Sequence, residues 1–287
     1  MRRLIRAVLW RYPGKLPTYR RISAFRSFRS TRELKTFEFL EAASIQALWG
    51  GRPVASVVVV IPTYGRAASL EVALRSVLAQ TYRDLVVVVL HDGPSEIPLS
   101  KGDRVFSASL SSHCGVPGVV RNIAIRATAS KYVAFLDDDN EWFPNHLEVS
   151  IAALEDGSDV TYTGLERVRR DGSTLDVLSE PFDRRRLRHR SAVDTNTIVL
   201  GRRADAYFSR VCLRRWRLPP EDWELLWRLS AKVPVEHIET VTARYYVHGG
   251  SYFWSESDIE DGSQRLKKDK YKAAPSTVAA SIAVAPN

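Results

Sequence analysis

Tyr132-Val133-Ala134-Phe135-Leu136-Asp137-Asp138-Asp139-Asn140-Glu141-Trp142 is the stretch on which the reading of this chain turns. Its apolar run predicts a strand buried on both faces, and the run ends abruptly in three consecutive carboxylates. Acids crowded at the carboxyl end of a buried parallel strand repel one another and are seldom there for stability. Ligands of open α/β sheets bind in that position. A divalent cation would relieve the repulsion, because Mg²⁺ and Mn²⁺ take oxygen ligands and commonly bridge one or two carboxylates to substrate phosphates. The plain structural alternative is a solvated acidic turn that caps the next helix.

Outward from that stretch, apolar runs alternate with helical periodicity, the pattern of strands covered by helices on both faces. Residues 57–61 and 85–90 read as buried strands and 105–110 as a weaker one. Leu70, Ala73, Leu74, Val77 and Leu78 form one helical stripe, residues 119–127 read as a helix, and Leu147, Ile151 and Leu154 share a face after Pro144. From residue 159 the chain turns β-rich, with Asp171-Gly172 as the turn of a hairpin between residues 165–168 and 174–178. Pro219-Pro220 opens a helix over residues 221–231, with Trp223, Leu226 and Trp227 on one face. The end from about Lys272 is Ala/Ser/Thr/Pro-rich and predicts a poorly ordered tail. The fold class is α/β: a mostly parallel, Rossmann-like sheet flanked by helices, with a smaller β-rich part.

Composition bounds this reading. A chain of 287 residues buries roughly three quarters of its unfolded surface, enough for a core without disulfides or structural metal. Two isolated cysteines, Cys114 and Cys212, remove zinc ribbons, iron–sulfur clusters and disulfide scaffolds, and a reducing, cytoplasmic setting fits them. Cys114 lies beside His113, but nothing else supports a cysteine nucleophile. No apolar run approaches the roughly 18 residues of a membrane span, and Arg6 and Arg11 interrupt any secretory pattern. The net charge of +9 would suggest nucleic acid if it were spread over a fold. Residues 1–35 alone hold eleven Lys/Arg against one acid, Glu33, which is +10 and leaves about −1 for the rest. A body-wide nucleic-acid groove is thereby excluded. In the leader, Leu4, Ile5, Val8 and Leu9 would face one side of a helix and Arg2, Arg3 and Arg6 the other, until Pro13. Two readings stay open: a reversible anchor on an anionic membrane surface, or else a solvated basic arm or a helix that packs on the body or on a second subunit.

Two further links carry polar chemistry. Pro62-Thr63-Tyr64-Gly65-Arg66 follows the first strand and offers hydroxyls, an Arg and free N–H groups beside a helix start, which suits a phosphorylated ligand or serves as a plain turn. It lacks both GxGxxG and GxxxxGK[ST], so nicotinamide dehydrogenases and P-loop kinases fall away. Asp92-Gly93 places an acid at the end of the second strand, where it can accept from a ribose or base, although Asp-Gly alone is a turn signal. Arg121-Asn122 opens the next helix within reach of a pyrophosphate.

Taken together, Val58-Val59-Val60-Ile61-Pro62-Thr63-Tyr64-Gly65-Arg66, Ala73-Leu74-Arg75-Ser76-Val77-Leu78-Ala79-Gln80-Thr81-Tyr82, Asp92-Gly93, Arg121-Asn122 and Phe135-Leu136-Asp137-Asp138-Asp139-Asn140-Glu141-Trp142 resemble family 2 glycosyltransferases of the GT-A fold. The resemblance is dense over residues 57–154. Beyond them it thins to Glu221-Asp222-Trp223-Glu224 and Tyr246-Val247-His248. It implies inverting transfer of a sugar from a nucleotide diphosphate sugar, assisted by Mg²⁺ or Mn²⁺. Carried over by position, Pro62, Thr63, Tyr64 and Arg66 would line the nucleotide pocket, Asp92 would face the base and Arg121 would approach the diphosphate. Asp138 would lie near the ribose, and Asp139 would bind the metal with Asp137 or Asp138 as the other acid of the DXD pattern. His248 would complete the metal shell or touch the diphosphate. Asp222 matches the catalytic base, with Glu221 behind it; the alternative for both is to complement the helix dipole.

The domain organisation that follows is a leader over residues 1–52, a transferase unit over 53–260 and a tail over 261–287. The transferase unit divides into a nucleotide-sugar half (53–158) and an acceptor half (159–260). UDP- or TDP-sugars are the favoured donors, and a glycan, a lipid-linked glycan or a small molecule is the acceptor. A homo-oligomer fits the chain as well as a monomer. Competing readings are a nucleotidyltransferase, which would normally show a Gly-rich basic loop after the first strand, and a catalytically silent sugar-binding module.

Overall fold

The computed structural model describes residues 28–95, 103–169, 171–191, 193–203, 205–210 and 220–247. The leader as far as residue 27, the tail, Cys212 and His248 lie outside the described residues. No helix among the described residues is long and apolar enough to cross a membrane.

The strands β1 (Val57–Thr63), β2 (Leu85–His91), β3 (Val105–Ser109) and β4 (Tyr132–Phe135) form the parallel half of one sheet, in the order β3-β2-β1-β4. The helices α2 (Ala67–Leu78) and α3 (Pro117–Ala127) follow β1 and β3. After β4 come β5 (Glu141–Trp142), α4 (His146–Glu155) and the long β6 (Val160–Val168), which forms the expected hairpin with β7 (Thr174–Leu178). Next are β8 (Ile198–Gly201), α5 (Glu221–Leu229) and β9 (Val235–Tyr246). They extend the sheet past β4 as β8-β6-β9-β5 through mostly antiparallel pairing.

Alternation along the central strands sorts the core into two layers, because successive side chains leave a strand on opposite faces. Val58, Val60, Val88, Val133 and Phe135 pack under α3 and α5. Val57, Val59, Ile61, Val87 and Ala134 pack under α2 and α4. Both faces being covered explains why these strands are continuously apolar, and each fully buried Val or Ile contributes about 1.5–3 kcal/mol.

The predicted elements are present with their faces as read: Leu70, Ala73 and Val77 of α2 and Leu147, Ile151 and Leu154 of α4 are buried. The described part of the expected leader adds one element. Its last part forms a helix, α1 (Phe28–Trp49), that packs on α3. Phe37, Glu38, Glu41, Ala42 and Ile45 are its buried face, and positive φ at Gly50 (+70°) and Gly51 (+143°) ends it. Glu38 is fully buried and draws together Asn122 Nδ2 (2.9 Å), Arg126 Nε (3.3 Å) and Arg210 Nε (2.7 Å). Asn122 in turn accepts from Phe208 N–H at 2.7 Å and donates to Phe208 C=O at 3.0 Å, so it pins the chain rather than meeting a ligand.

Removing one member of a buried ion cluster leaves the others charged and unpaired. Glu38→Ala should therefore lower stability by about 3–5 kcal/mol, read as a reduced urea midpoint at unchanged m. A loss below about 1 kcal/mol would mark α1 as a loosely attached arm.

Candidate active site

The acids of the decisive stretch sit where β1, β2 and β4 end together, since Val60 pairs with Phe135 and Thr63 with His91. Their repulsion is relieved in this structure by arginines. Asp138 is buried and accepts from Thr63 Oγ1 at 2.6 Å and from Arg66 Nη1 at 3.1 Å. Arg66 also pairs closely with Asp139, whose other oxygen accepts from Asn140 Nδ2 at 3.1 Å. Burial raises the Asp138 pKa to about 6 against the opposing pull of Thr63 and Arg66. Gly65, at φ +68°, turns the chain so that Arg66 at the start of α2 can reach across.

Asp137 faces the other way. It pairs closely with Arg121, whose second nitrogen pairs closely with Glu221 at the start of α5. The Arg121 side chain is only 4% exposed and lies 5.2 Å from the centre of the Phe208 ring. Burial disfavours its charge, but Asp137 and Glu221 outweigh that and hold its pKa above the usual value. Gly118 completes the arrangement by donating its N–H to Glu221 Oε2 at 3.1 Å. A Cβ there would lie 2.5 Å from that oxygen, so the approach requires glycine. Both Glu221 oxygens are thus engaged.

A turn the sequence did not flag joins the two halves. Asn196 accepts from Asp137 N–H at 2.6 Å and donates to Asp137 Oδ2 at 3.3 Å and to Asp194 Oδ1 at 2.5 Å. Thr195 Oγ1 donates to Asp222 Oδ2 at 3.4 Å, and Trp142 Nε1 holds the Asn196 carbonyl at 2.7 Å. Asp222, buried in the first turn of α5, also accepts from Trp223 N–H at 2.7 Å. Burial, with Glu221 and Asp137 nearby, raises its pKa to about 6; Trp223 N–H and Arg121 oppose the rise. Burial and the charges of Asp137 and Asp222 push Asp194 to about 7. The readable signal was Asp194-x-Asn196 just before an apolar strand, a side-chain-capped turn.

Asp92 is placed beside this centre but is spent on the chain: its oxygens accept from Cys114 N–H (2.8 Å) and Gly115 N–H (2.9 Å), with His113 Nδ1 at 3.1 Å. The Tyr64 ring is largely exposed and stacks on His113 with centroids 4.2 Å apart. Pro62 lies within β1, paired with Leu90. Burial pushes the Cys114 thiol far up, which leaves it inert as a nucleophile. Thr63, Arg66, Arg121, Asp137, Asp138, Asp139 and Asp222 are therefore brought to one end of the sheet.

No group of three His, Cys, Asp or Glu able to hold a metal occurs among the described residues. The donor set still fits a hard cation held jointly with ligand phosphates, a mode that needs only one or two carboxylates. Asp137 (32%) and Asp139 (21%) are both partly exposed, but Asp137 is tied to the enclosed Arg121, whereas Arg66, the partner of Asp139, is 45% exposed and can withdraw into solvent.

A model of glycosyl transferase family 2 matches residues 58–204, just over half of the chain and the span that holds the acid tip, Arg121 and the Asp194 turn. The chain belongs to glycosyl transferase family 2. An uncharacterized glycosyltransferase of Rickettsia bellii (strain RML369-C) is 31% identical over 131 residues, which are 44% of this chain and 19% of that protein. The chain thus spans about a fifth of that relative. Among solved structures of the family's fold, S. aureus TarS 1-349 in complex with UDP-GlcNAc is 19% identical with a TM-score of 0.54, covering 68% of this chain and 60% of that one. The mannosyltransferase PcManGT from Pyrobaculum calidifontis, in complex with GDP-Man and Mn²⁺, is 16% identical with a TM-score of 0.50, covering 76% and 67%. These likenesses show the GT-A fold.

The buried acids give a stability test. Asp194 titrates near 7 when folded against an ordinary value of 3.8. Its ionised form therefore costs stability fully above about pH 7, and the cost fades as pH falls toward 4. Asp194→Asn should gain melting temperature relative to the parent as pH rises from 5 to 8. A pH-independent difference would contradict the burial argument.

Proposed function

We propose that the chain is an inverting glycosyltransferase that moves a sugar from a nucleotide diphosphate sugar to an acceptor hydroxyl, with Asp222 as general base. UDP- or TDP-sugars are favoured and guanosine is left open. The observation that carries the reading is the division of labour at the start of α5. Both Glu221 oxygens are tied to Arg121 and Gly118, while Asp222 beside it keeps a weakly held oxygen and a pKa raised to about 6. A carboxylate tuned toward neutrality is a stronger base yet remains ionised above pH 6, which suits proton removal from an alcohol.

In this reading the acceptor oxygen forms its bond to the anomeric carbon on the face away from the diphosphate and gives its proton to Asp222. The bond from that carbon to the phosphate oxygen breaks, and its electron pair leaves with the nucleoside diphosphate. Asp139 would hold a Mg²⁺ or Mn²⁺ ion together with the phosphates, with Asp137 or Asp138 nearby. When bound, such an ion stabilises charge developing on the leaving oxygen. Arg66, released from Asp139 and Asp138, would turn to the phosphates, and Arg121 would add positive field from behind Asp137. Thr63 and the exposed Tyr64–His113 stack would line the nucleotide, with Asp92 shaping the loop of residues 113–115 beneath it.

Thermal-shift titration with UDP, TDP, GDP and CDP, with and without Mn²⁺, should show metal-dependent stabilisation by one pyrimidine diphosphate that Asp139→Ala abolishes. Asp222→Asn should keep that stabilisation and lower turnover roughly 10²–10⁴-fold. In the parent, turnover should fall as pH drops through about 6, where Asp222 takes up its proton. Full turnover in Asp222→Asn would remove it as the base.

A further inference from the structure

The outer face of α1 carries no charge between Lys35 and Arg52, because the two acids within that span, Glu38 and Glu41, are buried. Phe39, Leu40, Ala43, Ala47 and Leu48 stand exposed along it at helical spacing. Phe39, Leu40, Leu48 and, just past the helix, Val54 are each more than half exposed, and they are four of the seven large apolar side chains exposed among the described residues. Single exposed apolar residues need no explanation, but a stripe of them rimmed by polar residues marks an interaction site. Its ends are basic: Arg32 and Lys35 stand exposed at one and Arg52 at the other, with Glu33 the only exposed acid of the described helix.

The helix cannot roll to hide the stripe. Its other side is tied to the body by Trp49 Nε1, which donates to the Ser107 carbonyl at 3.1 Å, and by Gln46 Nε2, which donates to the Arg126 carbonyl at 2.9 Å. Glu41 accepts from Ser111 N–H at 3.1 Å, two residues before the His113 that stacks on Tyr64, so α1 is fastened beside the candidate site. Charge decides what can cover its outer face. A second copy laid antiparallel about the centre of the stripe would set Lys35 against the other copy's Arg52 at both ends. One laid parallel would bring together two leaders, each with eleven Lys/Arg against one acid in residues 1–35. An anionic lipid leaflet complements the same pattern, since basic side chains at the ends of an apolar helical face reach the headgroups while the face enters the boundary beneath them.

We propose that the outer face of α1 is a membrane-contact surface for an anionic lipid leaflet, with Phe39, Leu40 and Leu48 entering the headgroup–acyl boundary and Arg32, Lys35, Arg52 and the leader meeting the headgroups. The inference does not depend on the transferase reading. The test is flotation of the full chain with phosphatidylcholine vesicles made with and without phosphatidylglycerol. The chain should float only with phosphatidylglycerol present, and added salt should weaken the binding. Leu40→Ser/Leu48→Ser should lower binding roughly tenfold with an unchanged melting temperature, since both side chains are exposed. Val177→Ser, at an exposed apolar position on β7, should bind as the parent does. Four results would each overturn the proposal. The first is a parent that does not float or floats equally with neutral vesicles. The second is parent-level binding by Leu40→Ser/Leu48→Ser, which would make the leader the whole anchor. The third is a melting temperature several degrees lower in that variant, which would mean that another segment of the chain covers the stripe. The fourth is a dimer in sedimentation that the variant converts to monomer, which would mean that a second copy does.

Discussion

The interaction on which the rest of the site depends is the guanidinium of Arg121, buried between a carboxylate from each half of the fold. Placing an ion there costs several kcal/mol of lost hydration. Close pairing with Asp137 and Glu221 and the Phe208 ring beside it offset that cost. The geometry follows from the constraint. Asp137 follows the strand that leads to the acid tip, Glu221 begins the helix that carries Asp222, and a single side chain sets the spacing between them. Asn196 adds a neutral brace on the far side of Asp137.

The two arginines that quench the acid tip are not equivalent. Arg121 is enclosed, and its removal would leave Asp137 and Glu221 facing each other with no cation between them. Arg66 sits on a glycine turn at the surface with its side chain 45% exposed, and it holds the buried Asp138 and the partly exposed Asp139. A charge that can reach water can be exchanged for another charge at little cost. The site is therefore built with one fixed cation and one replaceable cation, which fits a pocket that receives a phosphate-bound metal and later gives it up.

Much of the parallel half was legible because its strands are covered on both faces. Continuous runs such as Val57 to Ile61 and their abrupt polar ends carry the signal in the residues themselves. Thr63, Arg66 and Asp138 could be singled out for the same reason, since each stands at an element boundary where a stray polar residue is visible, whereas Arg121, inside α3, and Asp222 took their roles from the family resemblance. The pairing among them was not legible: nothing in Asp137-Asp138-Asp139 tells which acid meets which arginine. β9 was missed because it is half-exposed, so Glu236, His237, Glu239 and Arg244 interrupt any apolar run. α1 was hidden by its neighbours, as the basic leader ahead of it masks the buried stripe of Phe37, Glu38, Glu41, Ala42 and Ile45. Asp194 and Asn196 are residue types common in any exposed turn, and their burial arises only when β4 and β8 come together.

Membership of glycosyl transferase family 2 sets the chemistry expected of such a site, and the paired arginines describe how this chain prepares for it. The most direct measurement is a crystal structure of the full chain with Mn²⁺ and a pyrimidine nucleoside diphosphate, with the metal located by anomalous scattering. The account predicts manganese on Asp139, Arg66 moved from Asp138 and Asp139 onto phosphate, and Arg121 still held between Asp137 and Glu221. Nucleotide bound with Arg66 unmoved and no metal at Asp139, or with Arg121 drawn out of its pair of acids, would contradict it.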